Sequence, residues 1–327
     1  MKSEGFRSSR VLRAALVTVT VGTVAVVGLA RMQAQANQLN RGVPTDNDLH
    51  VLPVQGNVSM IVGPGGNTTV QIGKEGIVVV DTQTAAVAPQ VMAAIRTLSD
   101  RPIIWVINTS VDADHMGGNE ALIRLGGSTD ASERARVVTH ENVLNRLVSP
   151  STPQSRVADA ASINDTYFRS PKDFLFNGEA VMVYHTPAAH TDGDSIVLFR
   201  RSDVLSVGDL FTPDRYPVID LANGGSVQGL LDGLSRILEM AVAGKYQEGG
   251  TFVIPGHGRL CDEADVVEFR DMVTIIRDRV QDMIKKGMTL DQVKAGKPSR
   301  DYDTQYKGSP DVFVDAIYKS LTARKAP

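Results

Sequence analysis

In the stretch "NTSVDADHMGGN", Asn108 to Asn119, Asp112, Asp114 and His115 fall within four positions, directly after the apolar run "IIWVI" and before a pair of glycines. Carboxylate oxygens and imidazole nitrogens at this spacing suit two kinds of chemistry. They are ligands for a divalent metal, or they are a helix N-terminus in which Asp112 or Asp114 accepts from the amides of "MGGNEALIRL". Three further residues of ligand type bear on the choice: His190 follows "VYHTPAA", Asp209 ends "VLSVG" and His257 follows "FVIPG". Each lies at the carboxyl end of an apolar strand pattern, where loops converge in layered α/β folds and where sites are built. Four strand ends that all present oxygen or imidazole ligands are poorly explained as four separate caps, so the metal reading outweighs the capping one.

The elements that must position these residues follow from periodicity. From Val51 to Asp81 apolar runs alternate with glycine-rich turns, which reads as a meander of strands. "AAVAPQVMAAIRTLSD" then places Val87, Val91, Ile95 and Leu98 at helical spacing before the strand "IIWVI". "NEALIRLG" before "ARVVTH" repeats the pattern, and residues 141–168 are more polar, a set of helices and loop around the site. A second strand group begins at "EAVMVYHTP", continues through "DSIVLFRRSDVLSVGD" and closes with "TFVIPGHG". Between its last two strands Val227, Leu230, Leu234, Ile237, Leu238 and Val242 form one apolar stripe, with Ser226 as N-cap. The chain then turns helical: "EADVVEFRDMVTIIRDRVQDMIKKG" is long and amphipathic, Thr289 and Gln292 form a capping box, and Ser309 caps a helix with Pro310 at its first position. Strands and helices in one half echoed in the other predict two sheets face to face with helices outside.

In order and spacing, "NTSVDADHMGGN", "TPAAHTDGDSIVLF", "VLSVGDLF" and "FVIPGHG" resemble the motifs of the metallo-β-lactamase superfamily. The resemblance implies an αββα sandwich of two mixed β-sheets, with helices on both outer faces and the site at one edge. In that family a T-H-x-H-x-D-H segment, a histidine before T-x-G, an aspartate after an apolar strand and the histidine of P-G-H bind two zinc ions that activate a water. Carried over by residue, the second metal position is intact in Asp114, His115, Asp209 and His257. The first departs from the pattern, because Ser110 and Asp112 stand where two histidines are expected, leaving Asp112, His190 and a share of Asp209. A carboxylate at Asp112 is similar to what diiron members use, so iron or manganese joins one or two zinc ions as the expected cofactor. Three carboxylates around two divalent ions leave less positive charge than two would, so the water should ionise above the pH of about 7 typical of catalytic zinc.

The function implied is a metal-dependent hydrolase that directs a water at a carbonyl-type bond in a small molecule: lactam, lactone, ester or thioester. Asp114 would also orient the attacking water, and Asn223, with Gly224 in "DLANGGS", occupies a loop where lactamases contact substrate. Two alternatives stay open: a mono- or di-iron oxidoreductase on the same fold, and a binding homologue impaired in catalysis. Of the remaining polar residues, Asp81 resembles the family's buried aspartate that organises the loops of the site. His140, His185 and Cys261 read as packed structural groups, and His50 carries no spacing signal.

Residues 1–36 stand apart. Lys2, Arg7, Arg10 and Arg13 precede a stretch that is uncharged from Ala14 to Ala30, and Ala34 and Ala36 give an A-x-A arrangement before Asn37. This reads as a Sec-type signal peptide and points to a periplasmic or secreted protein without stable membrane association after cleavage; an uncleaved N-terminal anchor is the alternative. The remaining chain divides into an extension at 37–50, a metallo-β-lactamase-like domain at 51–260 and a helical extension at 261–327 packed on it. Loss of five basic residues and one acid leaves 29 basic against 36 acidic side chains. That balance, with no Lys/Arg stripe, argues against a nucleic-acid partner. A single cysteine, Cys261, allows no internal disulfide, so the core must supply the stability. Mass spectrometry of exported protein should find Asn37 as the first residue; Met1 retained on membrane-bound material would establish the anchor instead.

Overall fold

The computed structural model describes residues 48–323, apart from 129, 131–133, 150–155 and 248. The segment read as a signal peptide, the expected cleavage site and nearly all of the 37–50 extension lie outside the described residues. No helix among those described is long and apolar enough to cross a membrane.

The first sheet has seven strands in sequential order: β1 (His50–Gln55), β2 (Val58–Gly63), β3 (Gly66–Gly73), β4 (Gly76–Val80), β5 (Ile103–Ile107), β6 (Arg136–His140) and β7 (Asp165–Tyr167). β1 to β4 form an antiparallel meander, while β4 to β7 are parallel, so helices must cross between them. These crossovers contain α1 (Ala88–Leu98), the single turn α2 (Ala113–Met116), α3 (Asn119–Gly126), α4 (Glu141–Leu147) and α5 (Val157–Ser162). The second sheet has five strands in the order β12-β11-β10-β9-β8, from β8 (Lys172–Phe176), β9 (Glu179–Thr186), β10 (Asp194–Phe199), β11 (Val204–Ser206) and β12 (Phe252–Ile254). Only β11 and β12 are parallel there, and α6 (Val227–Met240) joins them. After β12 come α7 (Glu263–Lys285), α8 (Leu290–Ala295) and α9 (Pro310–Thr322).

Why these strands stack into four layers is visible in their alternation. In β4, Val78 and Val80 face the space between the sheets, whereas Ile77 and Val79 face the outer layer with Val91 and Ile95 of α1 and Leu122 of α3. In β12, Phe252 and Ile254 point between the sheets and Val253 points outward to Leu234, Phe269 and Met272. A strand buried on both faces reads as an unbroken apolar run, which is the pattern of "GIVVV" and "FVI". The result is the expected αββα sandwich of two mixed sheets. Helices α7 and α9 contribute Phe269, Met272, Val273, Phe313 and Val314 to the same outer core as Leu205 and Val253, so the C-terminal helices share the core of the second sheet.

Two expectations need correction. The second strand group begins earlier than "EAVMVYHTP", at β8, a short edge strand whose Lys172 and Asp173 and half-exposed positions hide its strand pattern. The Val227–Val242 stripe is also shorter as a helix, which ends at Met240. The capping expectations divide: Ser226 accepts from the Gly229 amide and Thr289 forms its box with Gln292, whereas Ser309 sits at the N-cap position without a side-chain capping bond.

Two polar contacts lock the layers in register, the second of them beside the site. Gln71 donates to Glu179 across the sheets at 2.8 Å. At the start of β3, Asn67 donates through its side chain to the Pro255 and Gly258 carbonyls and through its backbone to Gly256, which clips the first sheet to the loop carrying His257. Because Phe269 is 1% exposed and joins α7 to the second sheet, Phe269→Ala should cost about 3–5 kcal/mol in equilibrium unfolding. A loss below about 1 kcal/mol would mean that these helices do not share that core.

Candidate metal centre

The site lies where the carboxyl ends of strands from both sheets meet. β4 ends at Val80, and Asp81 follows with φ of 60°, a left-handed conformation that turns its side chain back under the loop after β5. There its carboxylate accepts from the Thr109 amide at 2.8 Å, the Thr109 hydroxyl at 2.6 Å and His115 Nδ1 at 2.7 Å. This fixes the tautomer: Nδ1 carries the proton and Nε2 faces the centre. Asp81 therefore sits where an organising residue must.

His115 Nε2 and Asp209 Oδ1 are both buried, 3.5 Å apart, and neither has a hydrogen-bond partner. Asp209 is presented by a tight 3-10 turn, Gly208–Leu210, directly after β11 and its following valine. Gly208 has φ of +53°, and a Cβ there would collide with Thr109, so glycine is required on two counts. His257 Nε2 completes the group at 3.1 Å from Asp114 Oδ2 and 3.8 Å from Asp209 Oδ1, its ring edge-on to that of His115. Ligand atoms of Asp114, His115 and His257 lie within 4.8 Å of one another.

Two ligands held at about 2.0–2.2 Å by a tetrahedral ion are about 3.4 Å apart. The separations of 3.1, 3.5 and 3.8 Å bracket that value. A buried carboxylate oxygen and a buried imidazole nitrogen left without donors are costly unless a cation serves both, so this set fits a metal. Burial opposes charge on Asp209, yet His115, His257 and His190 hold its carboxyl well below the ordinary range. His115 is likewise disfavoured as a cation by burial but raised well above its ordinary value by Asp81 and Asp209. The pocket is thus strongly cation-seeking.

The expected first metal position is arranged differently. Asp112 occupies the N-cap position of α2 but makes no capping bond. Its Oδ2 instead lies 2.7 Å from His190 Nε2 and accepts from the Ser110 hydroxyl at 2.6 Å. His190 Nδ1 donates to the Val218 carbonyl at 2.8 Å. Although burial favours the neutral ring, Asp112, with help from Asp194 and Asp209, pushes His190 up to about 10. Asp112 and His190 are therefore joined to each other, while Asp114, His115 and His257 face one another and Asp209 stands against the two histidines.

Several positioning residues escape the sequence reading. Asp194 is buried and accepts from both the amide and hydroxyl of Thr191, which shapes the His190 loop; its only signal is the spacing in "HTDGD". Burial raises its carboxyl to about 7. Arg146 of α4 pairs with Asp192 at 2.6 Å, and Asn142 donates to the Asp192 carbonyl, so α4 braces the same loop. Asn223 donates its side-chain amide to Asp220 of its own loop at 2.7 Å, and its carbonyl accepts from the Asp192 amide of the His190 loop. The rings of His140 and His185 stack at 3.5 Å. His140 is kept neutral by burial and by His185, which lower it to about 4, while His185 Nε2 donates to the Asp192 carbonyl. The Cys261 thiol is buried, and burial raises it well above its ordinary value. His50 lies on the edge strand β1.

A family model of the metallo-β-lactamase superfamily matches residues 56–257. The chain belongs to this superfamily. Solved structures agree on the fold. A metallo-β-lactamase from Pontibacter korlensis is 19% identical, with a TM-score of 0.55 over 69% of this chain and 99% of that one. The DIM-1 metallo-β-lactamase is 17% identical, with a TM-score of 0.53 over 69% of this chain and 97% of its own. The inverting sec-alkylsulfatase Pisa1 from a Pseudomonas species is 16% identical, with a TM-score of 0.64 over 84% of this chain but only 50% of its own length. No curated protein matches the chain in sequence.

A Cβ at residue 256 would collide with Asp209 Oδ1 and the Gly208 backbone. Gly256→Ala should therefore lower metal affinity by roughly 10–100-fold without removing a ligand, the range seen when supporting residues of a metal site are lost. Competition with a chelator measures it; unchanged affinity would show that Asp209 does not contribute to binding.

Proposed function

We propose that this chain is an exported, metal-dependent hydrolase acting on a carbonyl-type bond, such as a lactam, lactone, ester or thioester, in a small molecule. The observation that carries the reading is the pair of buried, partnerless atoms His115 Nε2 and Asp209 Oδ1, with Asp114 and His257 around the same point. Membership of a superfamily made up mostly of hydrolases supports it. Asp114, His115, Asp209 and His257 would hold the ion. Two imidazoles and two carboxylates suit zinc, with iron or manganese as the oxygen-tolerant alternatives. When bound, the ion supplies Lewis acidity and makes water nucleophilic near neutral pH.

The chain's own residues do the rest. Asp81 keeps His115 in one tautomer and one orientation, so no rotation competes with the productive geometry. Asp114, whose side chain is 35% exposed while Asp209 is 16% exposed, is the carboxylate that solvent and substrate can reach. It is placed to orient the attacking water and accept its proton. Asn223 lies in the loop beside His190 and would approach substrate only by giving up its bond to Asp220. The signal segment supports a periplasmic or secreted location.

Metal content of the mature protein should be measured together with turnover of a lactam, lactone, ester, thioester, phosphoester and alkyl sulfate panel. Chelator-stripped protein should lose activity and regain it with zinc. Asp209→Asn and His257→Gln should each lower kcat/KM by more than about 100-fold, since even supporting residues cost 10–100-fold. Less than one tightly held ion per chain would overturn the reading, and iron with redox turnover but no hydrolysis would establish the oxidoreductase instead.

A further inference from the structure

Resting on the metal-dependent reading above, we propose that this centre holds one metal ion rather than two, and that Ser110, Asp112 and His190 form a metal-independent hydrogen-bonded group beside it. On the side of Asp114, His115, His257 and Asp209, His257 and Asp114 meet at 3.1 Å, but His115 Nε2 and Asp209 Oδ1 are 3.5 Å apart, buried and without partners, with His257 Nε2 3.8 Å from the same Asp209 oxygen. At the other position His190 Nε2 and Asp112 Oδ2 are 2.7 Å apart, a direct hydrogen bond, well inside the separation of about 3.4 Å that a shared ion imposes.

Hydrogen-bond inventory leads to the same result. The His190 ring faces acceptors on both sides, the Val218 carbonyl at 2.8 Å and the Asp112 carboxylate at 2.7 Å. Asp112 Oδ2 accepts twice, from His190 and from Ser110. The Ser110 hydroxyl, in a residue 1% exposed, donates to that carboxylate and accepts from the Asp112 amide, so it is spent within the group. All three residues satisfy one another, whereas the neighbouring set leaves His115 Nε2 and Asp209 Oδ1 buried without partners.

The group still has work to do. It ties the loop after β9 to the residue that starts α2, two positions before Asp114 and three before His115. Ser110, Asp112 and His190 are therefore positioning residues, which set the angle at which α2 delivers its ligands. A negative Asp112 paired with His190 also leaves its charge off the ion.

Cobalt titration of the metal-free mature protein tests this without a variant: ligand-field absorbance should saturate at one equivalent, and mass spectrometry of the native protein should find one ion. Saturation at two equivalents would overturn the one-ion proposal and leave the hydrolase reading standing, whereas saturation at none would overturn the hydrolase reading itself. Asp112→Asn and His190→Gln, checked for folding by circular dichroism, should keep one equivalent with affinity lowered by about 10–100-fold at most, the cost of a supporting residue. Loss of the ion in either folded variant would make that residue a ligand and overturn the proposal. Ser110→His with Asp112→His frees His190 and should raise the count from one to two.

Discussion

The structure turns on a buried carboxylate that the protein does not satisfy. Asp209 Oδ1 is enclosed at the junction of two sheets, faces His115 Nε2 at 3.5 Å, and has no hydrogen-bond donor. An ionised group in such a place is costly unless compensated, and a folded chain of ordinary stability carries few of them. The surroundings are built to supply compensation from outside the polypeptide. Asp81 turns the lone pair of His115 toward Asp209, and Asp114 and His257 close the same space from α2 and from the loop after β12. The polar satisfaction that elsewhere holds a loop in place is here left open on one side, toward a cation.

Such a cluster needs a rigid frame, because groups that repel one another or lack partners would otherwise spread apart. The frame is apolar. Valines and isoleucines of β4, β10, β11 and β12 are buried on both faces, so the strand ends from which the loops depart have little freedom. Small polar clips then set the loops on the frame: Asn67 holds the Pro255–Gly258 turn, Asp194 holds the His190 loop, and α4 braces the same loop through Arg146 and Asn142. Glycines at 208 and 256 leave room for Thr109 and for the Asp209 carboxylate. The Asn67, Arg146 and Asn142 clips join elements far apart in the chain, and with them three pairs of facing atoms among Asp114, His115, Asp209 and His257 stand 3.1–3.8 Å apart.

Charge is distributed unevenly across the centre, and this bears on its chemistry. Counted from the sequence, three carboxylates weaken the pull of the ions on a water. In the folded chain Asp112 is matched by His190 at 2.7 Å, so its charge is largely spent before it reaches the neighbouring space. On the one-ion reading, two carboxylates and two imidazoles remain around the ion, and the expected upward displacement of water ionisation becomes smaller. His140 and His185, stacked on each other and bonded to backbone, take no part in this balance.

By itself the sequence determined the layers and the identity of the chemistry-bearing residues. Period-two and unbroken apolar runs marked most strands, helical stripes marked α1 and α6, and ligand-type residues at strand ends marked Asp114, His115, His190, Asp209 and His257, because these are local patterns. Short edge strands such as β8 were illegible, since half-exposed positions with Lys172 and Asp173 carry no strand signal of their own. The structure alone decided which groups Asp112 meets. Capping, metal ligation and ion pairing all suit an aspartate at that position, and its observed neighbour is His190, 78 residues away, held in turn by a backbone carbonyl at Val218 that has no sequence signature. Hydrogen bonds are made over about 3 Å, and only the packing of two sheets brings those groups within that reach.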